Sequence, residues 1–393
     1  MTTTAADTSV TSVQELCDRI RRAGAADNRQ PLRISGGGSW LDANRPVAAA
    51  SLLSTEALTG IVEYVPGDLT LTARAGTTLK EIEHTTSANG QWLTLDPIGD
   101  PQRATLGATM ATASYGPLAH HFGTPRDLAL GVEFVNGSGE RIRGGGRVVK
   151  NVAGFDLTRL LIGSWGSLGV ITEVTVRLRA LPERQSTLLI DIRDSADDID
   201  RVRRELRRLP FTPLSAQLLH RTLADLAGLD GVGARLLVRT GGNEEALRAQ
   251  QEQLAVIGEV RDAPDDAWES LRVPERPGSV VVRLSQRPSR FAESWAMASR
   301  LVDRWPFAYC QSDPGRGVVR CVLPQPRVED SAFLEAVQRE LSAPMPGKRI
   351  FERLPRELWP VLAPSALDEL SARIKRTFDP QNILNPGILG DGA

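Results

Sequence analysis

The stretch GGGRVVKNVAGFDLTRLLIGSWGSLGVITEVTV (144–176) decides how the rest of the chain is read. A triple glycine leads into Lys150 and Asn151, then Gly154 and Asp156. Gly163, Gly166 and Gly169 follow and open onto the β-branched run 170–176. Glycine at this density means that backbone approaches something closely or adopts positive φ. A loop of this kind before a strand suits a large flat or phosphorylated ligand.

Working outward, two further stretches have the same character. In PLRISGGGSW (31–40), Leu32-Arg33-Ile34 alternates like a short strand, and the glycines after it offer successive backbone N–H groups as an anion-binding concavity. The same residues also read as a plain flexible turn. This is not GxGxxG followed by an apolar helix, so a Rossmann unit is not indicated. ATLGATMATASYGP (104–117) is almost all small side chains. A short helix there presents N-terminal N–H groups and a smooth face to a pyrophosphate or a flat ring, or packs tightly on a sheet.

The remaining elements follow from period and punctuation. Residues 11–24 read as a helix capped by Thr11 or Ser12, with Val13, Leu16, Cys17 and Ile20 on one face. Residues 58–75 read as two strands around Pro66-Gly67-Asp68, and a helix runs from near Thr78 to Asn89-Gly90. Residues 127–135 read as a buried strand, Asn136–Glu140 as a hairpin turn, and 171–178 as a long strand. After 187 arginine becomes frequent and glycine clusters thin out. The order β-α-β-β-α then occurs twice, starting at 187 and 279, which predicts a duplicated module: one antiparallel sheet with helices on one face. Leu367, Leu370, Ile374 and Phe378 mark a last helix before DPQNILNPGIL (379–389).

Bulk properties narrow the function classes. A chain of 393 residues has room for two cores. A net charge of −1 gives no basic field for nucleic acid. The start, MTTTAADTSV, lacks the apolar core of a signal peptide, and no apolar run reaches the roughly 18 residues of a membrane span. A cytoplasmic protein is expected, at most peripheral at the inner face of the membrane through partners. Cys17, Cys310 and Cys321 show no CxxC spacing, and His84, His120, His121 and His220 form no HxH or HxxxH pattern. No metal or iron–sulfur site is expected in this chain.

Taken together, ISGGGSW (34–40), ATLGATMATASYGP (104–117), GTPRDLALGVEF (123–134), RVVKNVAGFDLTRLLIGSWGSLGVITEV (147–174) and FDPQNILNPG (378–387) resemble the FAD-binding domain of the vanillyl-alcohol-oxidase, or PCMH-type, flavoprotein superfamily. Within it, VVKNVAGFDLTRLLIGSWGSLGVITEV and WESLR (268–272) are most similar to the smaller FAD-binding subunits of bacterial glycolate oxidases. The resemblance implies an α+β protein. It has a PCMH-type FAD-binding domain of two α/β subdomains (1–181), an α+β cap of antiparallel sheet plus helices (182–345), and a C-terminal segment returning to the FAD domain (346–393). It implies that Gly36, Gly37, Gly38 and Ser39 hold the pyrophosphate, with Trp40 where the family often has a small or polar residue. It places Thr105, Leu106, Gly107 and Ala108 against the pyrophosphate and ribityl chain, and Ser114 and Gly116 near the isoalloxazine. Thr124 and Asp127 bound the same cavity; Lys150, Asn151, Val152, Gly154 and Asp156 line the cleft. Gly169, Val170 and Ile171 meet the adenine end, and Asn385 approaches the ring. Ala113-Ser114-Tyr115-Gly116 offers no His or Cys for covalent attachment, so FAD is expected to be non-covalent, with His120 and His121 as partly exposed loop residues.

Oxidation of a 2-hydroxy acid needs a base for the hydroxyl proton and a cation for the carboxylate. Catalytic relatives that do this carry HxGDGN in the cap, which this chain lacks; its only histidine in the expected cap is His220. Arg283, Arg320 and Arg349 are the cap's candidates for a carboxylate. The resemblance then implies an FAD-bearing subunit of a glycolate-oxidising complex, with a larger catalytic flavoprotein subunit and a separate iron–sulfur subunit as partners. No catalytic residue is assigned. A self-sufficient oxidase of another 2-hydroxy acid or alcohol, and an FAD-bound assembly protein without turnover, are the alternatives.

Overall fold

The first helix forms over Val13–Ala23, where Ser12 caps it by accepting from the Glu15 N–H at 3.2 Å. Its Leu16, Cys17 and Ile20 are buried. This one element shows how the whole chain folds: a polar cap sets the start, and an apolar stripe decides which face turns inward. A computed structural model describes residues 7–25, 29–146, 156–272, 275, 278–324, 331–344, 347–364 and 368–390. The chain divides into two compact units. The first is Met1–Gly116, Gly123–Leu181 and Pro364–Ala393; the second is Pro117–Phe122 and Pro182–Ala363.

The first unit has two layers of sheet. Strands β1 (Asp7–Ser9), β2 (Leu32–Ser35) and β3 (Ser51–Ser54) form a parallel sheet in the order β1-β3-β2. Leu32, Leu53, the helix Val13–Ala23 and Ile383-Leu384 of the tail share its core. Strands β4 (Ile61–Val65), β5 (Thr70–Arg74), β6 (Gln91–Trp92), β7 (Ala129–Val135), β8 (Arg141–Gly145), β9 (Val170–Arg177) and β10 (Arg179–Ala180) follow. All but β6 and β10, which pair with each other, form an antiparallel sheet in the order β4-β5-β9-β7-β8. Its long central strand β9 carries Ile171, Val174 and Val176 into a core with Leu71, Phe134 and Leu106. The long strand expected over 171–178 forms over Val170–Arg177.

The strand expected over 127–135 begins later. Pro125–Leu128 is a helical turn, because the Asp127 carboxylate accepts from the Thr124 N–H at 2.8 Å and from its hydroxyl at 2.9 Å. Between Gly90 and Ala104 the described chain has one short strand, Gln91–Trp92, paired with β10.

The second unit contains one eight-stranded antiparallel sheet. Its strands are β11 (Arg184–Ile192), β12 (Ser215–Leu219), β13 (Ala234–Gly242), β14 (Val260–Asp262), β15 (Val280–Ser285), β16 (Tyr309–Asp313), β17 (Val318–Leu323) and β18 (Lys348–Arg353). The order is β14-β11-β13-β12-β16-β17-β15-β18. Read inward from either edge, both halves have the same plan, β-α-β-β-α-β with strand order 4-1-3-2, and they join back to back through β12 and β16. The duplication expected from the sequence is present, with a closing strand in each half that the sequence pattern did not reveal. Helices Ala196–Arg208, Phe291–Val302 and Ser331–Ser342 lie on one face, where Ile199, Val202, Trp295 and Val337 meet Leu236, Val282 and Cys321. The segment 117–122, expected within the FAD domain, belongs to this second unit, with Ala119–Phe122 as a helical turn. Among the described residues no helix is long and apolar enough to cross a membrane.

Candidate functional site

In the first unit, the end of β2, the loop after it, the helix Leu106–Thr112 and the start of β9 surround a cleft of about 620 Å³, part of it open to solvent. Of the residues singled out from the sequence, it brings together Gly36, Gly38, Ser39, Trp40, Gly107, Ala108, Gly169, Val170, Ile171 and Asn385. Arg33, Ile34, Ser35, Leu41, Thr55, Ala111, Thr112, Trp165 and Gly166 complete the wall. Ala111 and Thr112 were findable, because they lie one helical turn beyond Gly107 and Ala108. Thr55 was not, because it arrives through the parallel pairing of β2 with β3, its N–H donating to Ser35 O at 2.9 Å.

The glycine loop is built by close approach. A Cβ on Gly37 would lie 2.1 Å from Arg103 O, and one on Gly36 would lie 2.5 Å from Thr105 Oγ1. Arg103 Nη2 donates to Gly37 O at 2.7 Å and clamps the loop from behind. Gly38 has φ +79°. Among the described residues no protein group accepts from the N–H of Gly36, Gly37 or Gly38. A row of unclaimed amides at the mouth of a cleft is an anion site in waiting. Gly37 itself packs behind the wall, so Gly37→Ala is expected to cost about 1–3 kcal/mol through overpacking. Thermal unfolding of the variant beside the parent checks this, and an unchanged midpoint would show that the loop yields freely.

The short helix behaves differently from the expectation. Its first amides do not point into the cleft. Leu106 N–H donates to Thr77 O at 2.9 Å and Gly107 N–H to Ala75 O at 2.8 Å, while Ala108 N–H meets Thr105 Oγ1 at 3.4 Å. Thr105 is thus a buried cap and Leu106 a core residue with no exposed surface. Gly107 is required because a Cβ there would lie 2.5 Å from the Ala75 Cβ. The smooth side of the helix, not its N-terminus, forms the wall.

Other expected residues take structural places. Gly116 lets the chain pass the Asp96 carbonyl, which a Cβ would approach to 2.0 Å. Ser114 is buried, its hydroxyl without a partner, and does not line the cleft. Thr124 and Asp127 are occupied with capping each other's turn and stand outside the lining. Asp156 caps the helix Leu157–Leu161 by accepting from Arg159 N–H at 2.9 Å, and its side chain is exposed. Lys150, Asn151, Val152 and Gly154 lie outside the described residues.

Asn385 lines the cleft, but its side chain is committed. Its Oδ1 accepts from Ile34 N–H at 2.8 Å and its Nδ2 donates to Trp165 O at 2.6 Å. It therefore holds the two walls together rather than reaching toward a ring. Trp165 adopts φ +56°, a left-handed backbone that is rare for a bulky residue. Its own N–H donates to Ala111 O at 2.8 Å, so the strained residue is tied on both sides. The Trp40 and Trp165 rings stand edge to face with centroids 6.0 Å apart.

In the second unit the polar residues of interest are already paired. Arg320 Nε donates to Glu352 Oε2 at 2.7 Å, and its Nη1 pairs with Glu275. Arg283 Nη1 lies 3.5 Å from Glu352 Oε1, and Arg349 donates to Leu341 O. Burial alone would lower the Arg320 pKa, but Glu275 and Glu352 raise it overall. His220 caps the helix Arg221–Leu226, with Nδ1 accepting from Thr222 N–H at 3.3 Å and Nε2 lying 3.3 Å from Asp303. Burial pulls its pKa down against the pull of Asp303. His120, expected as a partly exposed loop residue, has its side chain almost fully buried, with Nδ1 2.9 Å from Asp313. His121 is exposed, its Nδ1 3.1 Å from Thr212 O. Among the described residues no cluster of His, Cys, Asp and Glu is arranged to hold a metal.

Residues 5–145 match the family model described as an FAD binding domain. Glycolate oxidase subunit GlcE of Escherichia coli (strain K12) is 32% identical over 264 residues, covering 67% of this chain and 69% of that protein. Glycolate oxidase subunit GlcD of Bacillus subtilis (strain 168) is 26% identical over 399 residues, covering 92% of this chain and 84% of that protein. Among solved structures, p-cresol methylhydroxylase superposes with a TM-score of 0.75 at 16% identity, over 98% of this chain and 88% of its own. At that identity the likeness is one of fold.

Proposed function

The chain belongs to the FAD-binding oxidoreductase family of glycolate oxidase subunit GlcE, with FAD as its cofactor, and from that premise we propose that it is the FAD-carrying subunit of a glycolate-oxidising complex. In this reading it is accessory to a larger catalytic flavoprotein subunit, and electrons leave through an iron–sulfur partner. Glycolate becomes glyoxylate, and the location is cytoplasmic, at most peripheral to the membrane through the partners.

The residues of the first unit's cleft fit the cofactor. The unclaimed amides of Gly36, Gly37 and Gly38 suit a pyrophosphate, and the bare surface of Gly107 and Ala108 admits close approach. Attachment is proposed to be non-covalent, from the lack of His or Cys in Ala113-Ser114-Tyr115-Gly116, and the flavin is then expected to be released on denaturation. When bound, FAD would supply a redox centre that takes up electrons from the catalytic subunit and passes them to the iron–sulfur partner. Asn385 keeps the walls in register, and Trp40 and Trp165 cover part of the mouth. Lys150, Asn151, Val152 and Gly154 belong to the same proposed site through the resemblance of the stretch that contains them.

The observation that carries the accessory role is the state of the three arginines singled out as candidates for a carboxylate, Arg283, Arg320 and Arg349. A subunit that oxidises a hydroxy acid needs a cation for the carboxylate. Arg283 and Arg320 are neutralised by Glu275 and Glu352, and Arg349 is bonded to a main-chain carbonyl. His220 is turned into a helix cap beside Asp303.

Anaerobic mixing of the purified yellow chain with glycolate tests this. The visible flavin band is expected to persist with the chain alone and to bleach once the partner subunits are added. Bleaching by the chain alone would overturn the accessory role, and a colourless chain that takes up no FAD would overturn the whole reading.

A further inference from the structure

Arg33 was not among the residues expected at the cleft, yet it lines it. It stands on β2, next to Leu32, which faces the core shared with the first helix. Alternation along the strand sends Arg33 the other way. Its side chain is half-buried. Among the described residues its guanidinium makes one hydrogen bond, Nη2 to Leu41 O at 3.0 Å, which leaves most of its donors without a protein acceptor. Asp42 attracts it through space. Desolvation lowers its pKa to about 10, against the opposing pull of Asp42, so the group remains a cation at neutral pH.

A partly desolvated cation with vacant donors is costly unless an anion completes it. The unclaimed amides of Gly36 to Gly38 begin three residues further along the same strand and loop, and they line or back the same cleft. A second cation among the described residues, Arg103, is bonded to Gly37 O and holds the loop's shape. The roles divide accordingly: amides to wrap the anion, Arg103 to brace the loop, Arg33 to carry the charge. The indoles of Trp40 and Trp165 along the same wall limit solvent screening of that charge.

We propose that Arg33 is the charge-bearing anchor for the cofactor's pyrophosphate, and the residue that makes this cleft prefer a flavin dinucleotide over a flavin lacking phosphate. The proposal rests on the assignment of FAD to this cleft. A charge-assisted hydrogen bond in a partly dry site corresponds to an affinity difference of about 10- to 100-fold.

The test titrates the apoprotein, prepared from the full chain, with FAD and with riboflavin, read by quenching of flavin fluorescence. Arg33→Met keeps the aliphatic stem and removes the charge. It is expected to weaken FAD by about 10- to 100-fold, and to leave riboflavin within about twofold. Arg33→Lys is expected to recover part of the loss. Equal weakening of both flavins would show a structural role, and unchanged FAD affinity would remove the role altogether; either result overturns the proposal. If Arg33→Met does not fold, the wild-type chain still decides. Its FAD affinity is expected to fall with added salt while its riboflavin affinity holds, and a flat response for FAD overturns the proposal. Failure of the wild-type chain to bind FAD at all would instead sink the cleft assignment beneath it.

Discussion

Arg320→Met is expected to lower the unfolding free energy by about 3–5 kcal/mol, the range for breaking a buried ion pair from one side. Arg320 sits on β17, opposite Arg283 of β15 and Gln311 of β16. Its side chain is 9% exposed and that of its partner Glu275 is 1% exposed, so solvent cannot take over the stranded carboxylates. Arg353 still lies 3.4 Å from Glu275, and Arg283 still lies 3.5 Å from Glu352, which keeps the loss finite. Guanidinium denaturation measures it, with Glu352→Gln as the companion. The double variant should fall short of the summed single losses by about 1–3 kcal/mol, because both remove one interaction. Strict additivity would mean that the pair contributes nothing.

The pH response follows the same pairing. Burial pushes the Glu352 carboxyl up, but Arg320 and then Arg283 outweigh it, so its pKa is lowered. A carboxyl depressed on folding contributes stability that is complete above its unfolded value, about 4.3, and that is lost as pH falls through the folded value. In Arg320→Met the folded value rises. The acid-unfolding midpoint should therefore move to higher pH, and a midpoint that stays put would rule out this account.

Such pairs show where the sequence stopped being readable. Arg283, Arg320 and Arg349 stood out as isolated cations, because nothing in linear order reveals which carboxylate a sheet register sets opposite them. Glu352 reaches Arg320 only because β17 and β18 both pair with β15, with a bulge near Val281 and Val282. The local signals were sound by contrast. Ser12 caps the helix expected over residues 11–24, whose face carries Leu16, Cys17 and Ile20 inward. Thr124-Pro125-Arg126-Asp127 has the spacing of a capping box, and its capping role is written in four consecutive residues. The likeness to a cofactor-binding family drew attention to a ligand role for that pair instead. At the cleft, the glycines were legible because close approach excludes other residues. Arg33 and Thr55 were not, because their place depends on which side of β2 faces outward and on a pairing twenty residues away.

Lys375→Met is expected to have a comparable effect, about 3–5 kcal/mol, and to reach the cleft as well. Lys375 is buried in the helix Glu369–Phe378. Its Nζ donates to Asp379 Oδ2 at 2.6 Å, Ser167 O at 2.8 Å and Leu384 O at 2.9 Å. All three donors are used, one of them on the glycine-rich stretch 163–169. Asp379 in turn accepts from Ile383 N–H at 3.0 Å and Leu384 N–H at 2.8 Å. The next residue is Asn385, whose N–H donates to Leu32 O at 2.9 Å and whose side chain joins Ile34 to Trp165. A continuous chain of bonds thus runs from one buried ammonium to both walls of the cleft. Methionine matches the volume but leaves the Asp379 carboxylate buried without its cation. The tail then keeps the bonds of Asn385 and the apolar contact of Ile383 and Leu384, but the buried cation that ties them to the helix is gone. Two readouts follow: a fall in thermal midpoint, and a loss of FAD during gel filtration that Arg320→Met, lying in the other unit, does not share. Adding Asp379→Asn to Lys375→Met should restore part of the stability by removing the stranded charge. Full retention of flavin by an otherwise destabilised Lys375→Met would show that the tail closes the first unit's core without setting the cleft.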